Sequence, residues 1–291
     1  MNPFPREGQW YKGNLHMHTT FSDGDLDLAS AIAFYKERGY DFVSVTDHRK
    51  TTDAERFTTE TFLTIPGTEL DCWDHEGNEY HIVGVGVRPF DQDPTIRSGQ
   101  GLIDQILDHG GVAIIAHPYW LGLERPAIQK LKGAIGLEVY NSGCMDCGKA
   151  LSDVHWDDLL HHGYYTFGVA TDDTHRYTYD GAVGWVMVRA AELTQESIMD
   201  ALRAGHFYSS QGPELYDIRV EDGWIHVETS DVARIAFVSN RGRGWSVWAK
   251  PGETINKASI QHWTDGYCRI EAIDTQGRKA WSQPIWFNAS R

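Results

Sequence analysis

The sequence predicts an α/β chain in two parts: a closed barrel of mostly parallel strands, then a small antiparallel β-sandwich. Three observations predict it. Up to about residue 205, short apolar runs alternate with helix-like stretches, which reads as a parallel sheet with crossover helices. Seven such strands in one domain point to a closed barrel rather than an open sheet. After about Gly212 the apolar runs shorten, several alternate with polar residues, and no long helix fits.

The expected barrel strands are 13–18, 41–46, 61–66, 80–87, 111–117, 135–140 and 165–171. Between them, helical stretches end on glycines: 26–38 at Gly39, 102–109 at Gly110 and 156–162 at Gly163. Thr194 is a candidate N-cap for 195–204, which stops at Gly205. In the second part the expected strands are 218–220, 224–228, 235–239, 245–249 and 267–274. Turns at Glu221-Asp222-Gly223, Asn240-Arg241-Gly242 and Gln276-Gly277 separate several of them. No long flexible linker intervenes. A short boundary near 210–213 is expected to divide residues 1–210 from 211–291, with the two parts packed together.

Composition narrows the function. The 291 residues carry 41 acidic against 26 basic side chains, a net charge of −15. A body this acidic repels phosphate backbones and anionic lipids, so neither non-specific nucleic-acid binding nor membrane docking is expected. No apolar run reaches the roughly 18 residues a membrane span needs. The start, MNPFPREGQWYKGN, has no apolar h-region, so no signal peptide is expected. Four cysteines do not make a disulfide scaffold. A soluble cytoplasmic protein acting on a small molecule is the expectation.

The histidines say more. In His16-Met17-His18, a strand would place both imidazoles on one face, with Leu15 and Met17 on the other. Asp23 follows five residues later. Similar residues recur where later strands are expected to end: Asp47-His48, Gly67-Thr68-Glu69, His117-Pro118 and Asp172-Asp173-Thr174-His175. In a parallel barrel those ends converge on one mouth. Imidazole nitrogen and carboxylate oxygen are the ligands of borderline and hard divalent metals. His81 fits less well. It starts the apolar run 81–87 rather than ending it, and periodicity alone makes it a packing histidine.

The stretch Leu15-His16-Met17-His18-Thr19-Thr20-Phe21-Ser22-Asp23-Gly24, followed in order by Thr46-Asp47-His48, Gly67-Thr68-Glu69, His117-Pro118 and Asp173-Thr174-His175, resembles the PHP (polymerase and histidinol phosphatase) superfamily. The resemblance covers roughly residues 11–210. Trp156-Asp157-Asp158-Leu159-Leu160 and Gly205-His206-Phe207-Tyr208 resemble stand-alone members with a C-terminal β domain, some of whose relatives are carbamate-type metallohydrolases. The resemblance implies a distorted seven-stranded (β/α)7 barrel holding two or three divalent ions, with Mn, Zn and Fe all admissible. Residue by residue, it implies that His16, His18 and Asp173 bind a first ion. Glu69 bridges the first and second, His81 and His117 complete the second, and Asp23, His48 and His175 hold the third. Asp172 competes with Asp173, but the D-x-H spacing to His175 favours Asp173.

Three divalent ions would outweigh three carboxylates, leaving a positive site that attracts phosphate despite the acidic body. The expected function is therefore hydrolysis of a small phosphate mono- or diester by a metal-bound hydroxide. The alternatives are hydrolysis of a carboxyl-type bond, such as an aryl ester or carbamate, and a non-catalytic binding protein with a relic barrel. Arg49 and Arg176, directly after His48 and His175, are candidates to grip phosphate, and Arg49 also to act in catalysis. Trp73 and Trp120 are candidate walls for an aromatic leaving group, and Asn141 a candidate substrate ligand. Asp47, His206 or a metal-bound water would supply the leaving-group proton. Glu138 is expected to support the ligands rather than join them. Cys144-Met145-Asp146-Cys147 lacks a thioredoxin-like context or a second ligand pair and is expected to be incidental. His161-His162 reads as a helix end, and Arg241-Gly242-Arg243-Gly244 as a hairpin turn.

Overall fold

The computed structural model describes residues 2–263 and 265–287. Seven strands lie side by side in chain order: β1 (Gln9–Asn14), β2 (Phe42–Val45), β3 (Leu63–Trp73), β4 (Glu79–Val85), β5 (Val112–Ile115), β6 (Ala134–Asn141) and β7 (Phe167–Thr171). Beyond the last of these, Met17 bridges Thr174 in parallel, and the Asp173 N–H donates to the His16 carbonyl at 2.8 Å. The segments that follow β1 and β7 therefore meet. Helices α1 (Leu28–Glu37), α2 (Gly99–Asp108), α3 (Pro118–Leu121), α4 (Arg125–Ile128), α5 (Asp153–His161) and α6 (Gln195–Ala204) complete this part. Asp27, Ser98 and Thr194 cap α1, α2 and α6 by accepting a backbone N–H three residues on.

Three expectations need correction. The sheet is less parallel than the alternation implied. β1–β2, β2–β3, β5–β6 and β6–β7 are parallel, but β4 runs antiparallel to both β3 and β5. The cause is local. Only a tight turn closed by Asp74 N–H to the Asn78 carbonyl, with Gly77 at φ 85°, separates β3 from β4, and a parallel crossover needs far more chain. β3 also runs on to Trp73, so Gly67, Thr68 and Glu69 lie inside the strand rather than after it. β1, conversely, stops at Asn14, leaving His16-Met17-His18 in the extended segment beyond it.

The strand β8 (Trp185–Ala190), absent from the expected set, pairs antiparallel with β1 and with β9 (Phe207–Ser210). Its buried Val186, Val188 and Ala190 keep the period of two that marks a half-buried strand. The rest of the chain is all β: β10 (Leu215–Glu221), β11 (Trp224–Val232), β12 (Arg234–Ser239), β13 (Gly244–Trp248), β14 (Ile255–Gln261), β15 (Gly266–Ile273), β16 (Lys279–Ser282) and β17 (Ile285–Phe287). β10-β11-β14 form one sheet. β13-β12-β15-β16 form the facing layer, and β16 pairs with β9, so this layer continues into the sheet that contains β1.

Apolar side chains fill both parts. Leu15, Ile65, Val83, Ile114, Val169 and Val186 pack beside α6, while Leu215, Ile225, Val227, Ile235, Phe237 and Ile270 fill the β layers. Each fully buried side chain of this kind contributes about 1.5–3 kcal/mol. No helix among the described residues is long and apolar enough to cross a membrane.

Candidate metal centre

The antiparallel β4 explains His81. Its N-terminal end lies where the parallel strands have their C-terminal ends, so a histidine early in its run reaches the mouth. Asp71 pairs with His81 across the β3–β4 ladder, and His81 Nδ1 lies 2.9 Å from Glu69 Oε1. The packing-histidine reading is thereby corrected.

All nine expected ligands converge there. They form three overlapping groups: His16, His18, Glu69 and Asp173; Glu69, His81 and His117; and His18, Asp23, His48 and His175. Within each group the candidate ligand atoms lie within 4.8 Å of one another. Glu69 Oε2 is 3.3 Å from both His16 Nε2 and His18 Nε2 and 3.0 Å from His48 Nδ1, while its Oε1 is 3.2 Å from His117 Nε2. Asp23 Oδ2 approaches His48 Nε2 at 3.5 Å and His175 Nε2 at 3.4 Å.

Burial would keep these carboxyls neutral, yet the surrounding imidazoles hold Glu69 and Asp173 well below the usual carboxylate range. Hydrogen bonds from His175 and His48 depress Asp23 too. Burial opposes protonation of His16, but Asp173, Glu138 and Glu69 outweigh it and push its pKa up.

The donor set fits a divalent cation. Asp173 Oδ1 is buried and lies 3.0 Å from His18 Nε2 and 3.3 Å from His16 Nε2, yet hydrogen-bonds to neither. The two ring nitrogens lie 3.1 Å apart, so three donor atoms crowd one point and the carboxylate oxygen is left without a hydrogen bond, the arrangement expected where a shared cation completes them. The backbone is strained at the same place, with His117 at φ 25° and Asp173 at φ 52°.

A layer of polar groups holds the cluster in position. Glu138 accepts from His16 Nδ1 at 2.7 Å, the His117 N–H at 2.8 Å, Thr171 Oγ1 at 2.8 Å and Asn141 Nδ2 at 2.6 Å. This is the carboxylate–histidine pairing that fixes the tautomer of a metal ligand. Asp172 turns away, accepting from the Tyr35 hydroxyl and from three backbone N–H groups at residues 182–184, so Asp173 and not Asp172 joins the cluster.

The candidate substrate and acid residues fare differently. Trp120 lines the cavity of about 230 Å³ over the cluster, edge-on to His117. Asn141 is buried and gives its amide to Glu138 and Asp173, so it braces the ligands instead of meeting a substrate. Asp47 is also corrected. Its carboxylate accepts from the Thr19 N–H and from the hydroxyls of Thr19, Ser22 and Thr52, and thereby pins the loop that carries Asp23. Arg49 forms a two-pronged ion pair with Asp71 at 2.6 and 2.7 Å, and Arg176 pairs with Asp25 at 2.9 Å; neither lines the cavity. Trp73 stands beside Arg49 in a separate depression. His206 precedes β9 next to Arg189, which pairs with Trp10 near the start of β1, at the end opposite the mouth. It is therefore no leaving-group acid. Sequence reasoning missed Cys144, which lines the cavity three residues beyond Asn141 at the end of β6; the strand-end rule that found the ligands applies to it as well.

A two-domain protein from Bacteroides vulgatus, described as containing a predicted PHP-like metal-dependent phosphoesterase, superposes with a TM-score of 0.54 at 14% identity over 96% of each chain. This chain shares that protein's fold over nearly its whole length. An amidohydrolase from Chromobacterium violaceum, determined with sulfate and no metal, is similar at a TM-score of 0.44 and 18% identity, over 58% of this chain and 89% of its own. No family model and no curated protein matches the sequence. The nine side chains stand together at the mouth of this fold.

Proposed function

We propose that the chain is a metal-dependent hydrolase of a small phosphate ester, acting at the mouth of its residue 1–210 portion. The observation that carries the reading is the convergence of nine imidazole and carboxylate side chains in three overlapping groups. His16, His18, Asp173 and Glu69 would hold one divalent ion, Glu69, His81 and His117 a second, and Asp23, His48 and His175 a third. Ions such as Mn, Zn or Fe supply a nucleophile at neutral pH and Lewis-acid stabilisation of a phosphoryl oxygen. The protein's own contribution is positional. Glu138 orients His16, Asn141 steadies Asp173, and Asp47 holds the loop that presents Asp23. Trp120 closes one wall of the cavity.

One observation favours a second reading. Among the described residues, no lysine or arginine lines the cavity, and its exposed wall is an indole, which suits a neutral aryl ester or carbamate. Turnover of p-nitrophenyl phosphate, bis(p-nitrophenyl) phosphate and a p-nitrophenyl carbamate by metal-reconstituted protein, beside His18→Ala, separates the two. Phosphate-ester turnover that disappears in the variant is expected. Carbamate turnover alone would transfer the assignment to the carboxyl-type bond, and activity that survives exhaustive chelation would refute the metal role.

A further inference from the structure

The sequence motif that the function leaves unused is Cys144-Met145-Asp146-Cys147. It occupies the turn directly after β6, where the 142–144 segment is a single 3-10 turn. Cys144 is 4% exposed and lines the metal cavity, whereas Cys147 is exposed. The Cys147 thiol folds back to donate to the Cys144 carbonyl at 3.3 Å. The turn is fastened to the candidate ligands. The Cys144 N–H donates to Asn141 Oδ1 at 3.2 Å, and the Asn141 amide in turn holds Asp173 at 3.1 Å and Glu138 at 2.6 Å. Gly143 lies so close to the Asp173 backbone that a Cβ there would come within 2.6 Å of its carbonyl oxygen.

We propose that Cys144 and Cys147 are a disulfide-forming pair whose closure loosens the metal centre, an inference that rests on the metal reading of the mouth. The co-reactant is a small-molecule disulfide. The accessible Cys147 thiolate attacks it, one thiol leaves, and a mixed disulfide forms on Cys147. Cys144, on losing its proton, attacks Cys147 Sγ as a thiolate and expels the second reagent thiolate, which takes up that proton, so two protein thiols become one disulfide and the reagent is reduced to two thiols. Cβ atoms three apart in a helical turn are about 5–6 Å from each other, and a disulfide requires roughly 3.5–4.5 Å. Closure must therefore tighten the turn. The first groups to move are the Cys144 N–H and the Asn141 side chain it holds, which brace Asp173 and Glu138. Disturbing such bracing groups costs about 10–100-fold in metal affinity.

The test treats the full chain with oxidised glutathione and reads two quantities: the intact mass with peptide mapping, and Zn²⁺ affinity by competition with a chromogenic chelator. Loss of two hydrogens localised to the 144–147 peptide is expected, with affinity lower by about 10-fold or more and restored by dithiothreitol. Cys147→Ser should keep full affinity under the same treatment. A disulfide that leaves affinity unchanged would overturn the switch, and glutathione retained on Cys147 without cross-linking would overturn the pairing. If the reduced chain binds no Zn²⁺, the metal reading itself fails, and the mapping alone decides whether the pair forms.

Discussion

At the mouth, the only cationic partners of the carboxylates among the described residues are imidazoles; at the seam between α5 and β15, carboxylates face an arginine and a lysine. Arg269 is 1% exposed and binds Asp157 through two nitrogens at 2.8 and 2.7 Å and Glu271 through a third at 2.6 Å. Lys279 adds contacts to Asp153 at 2.9 Å and to Glu271 at 3.5 Å. Among the described residues, no lysine or arginine lies within ion-pair distance of Asp23, Glu69 or Asp173. The seam is neutralised by permanent cations from its own chain and joins helix to sheet. The mouth is neutralised only by side chains that can give up their protons to an incoming cation. Buried charge thus serves attachment in one place and binding in the other, and the identity of the cationic partner separates the two.

Four perturbations sharpen that contrast. Arg269→Met should have the largest effect on stability, because it leaves Asp157 and the buried Glu271 without their cation. Losses of this kind cost about 3–5 kcal/mol, readable as a lowered urea midpoint, while metal content stays unchanged. Metal removal comes next. Saturation at about 100 times the dissociation constant stabilises a fold by about 2.7 kcal/mol, so chelation should lower the midpoint of the native chain by an amount of that order. Glu138→Gln should weaken Zn²⁺ binding by about 10–100-fold in a chelator competition, with little change in the midpoint of the metal-free chain.

The smallest effect is on pH dependence. Burial disfavours the charged form of His48, but the adjacent Asp23 and Glu69 carboxylates prevail and raise its pKa to about 10. A group raised in the folded state stabilises fully below its unfolded pKa of about 6.5 and ceases to do so as pH climbs through its folded value. The chelated chain should therefore have a lower urea midpoint at about pH 9 than at about pH 6, and the metal-loaded chain should lose less, because the metal favours unprotonated ligands. Arg269 adds no slope here. Asp157 and Glu271 overcome the burial of Arg269 and raise its pKa further, so it remains charged throughout.

The site was more legible than the sheet that carries it. His48, His117 and His175 sit just past strand ends, as strand-end reasoning put them, because side-chain chemistry at a parallel strand's end depends on short-range pattern; His16 and His18, expected on a strand, lie just beyond β1. His81 was not legible from its own run. Its placement depends on the direction of β4, which the turn after Trp73 decides and periodicity does not report. Asp47, Arg49 and Asn141 are polar residues next to ligands. Sequence adjacency could not show that Asp47 points into a hydroxyl cage, that Asp71 captures Arg49, or that Asn141 braces Asp173. His206 was placed by its neighbours in a motif, whereas its position is set by the antiparallel β8–β9 pairing, which carries it to the opposite end. Nor did composition reveal the seam, since Arg269 and Asp157 are 112 residues apart.

The most direct test of the account is the metal content per chain of the native protein, Asp23→Asn and Glu69→Gln, each equilibrated with the same divalent ion and measured by elemental analysis. Asp23 belongs to one of the three groups and Glu69 to two. The account predicts two or three ions in the native chain, one fewer in Asp23→Asn and a greater loss in Glu69→Gln. Less than one ion per native chain, or equal loss in both variants, would contradict it.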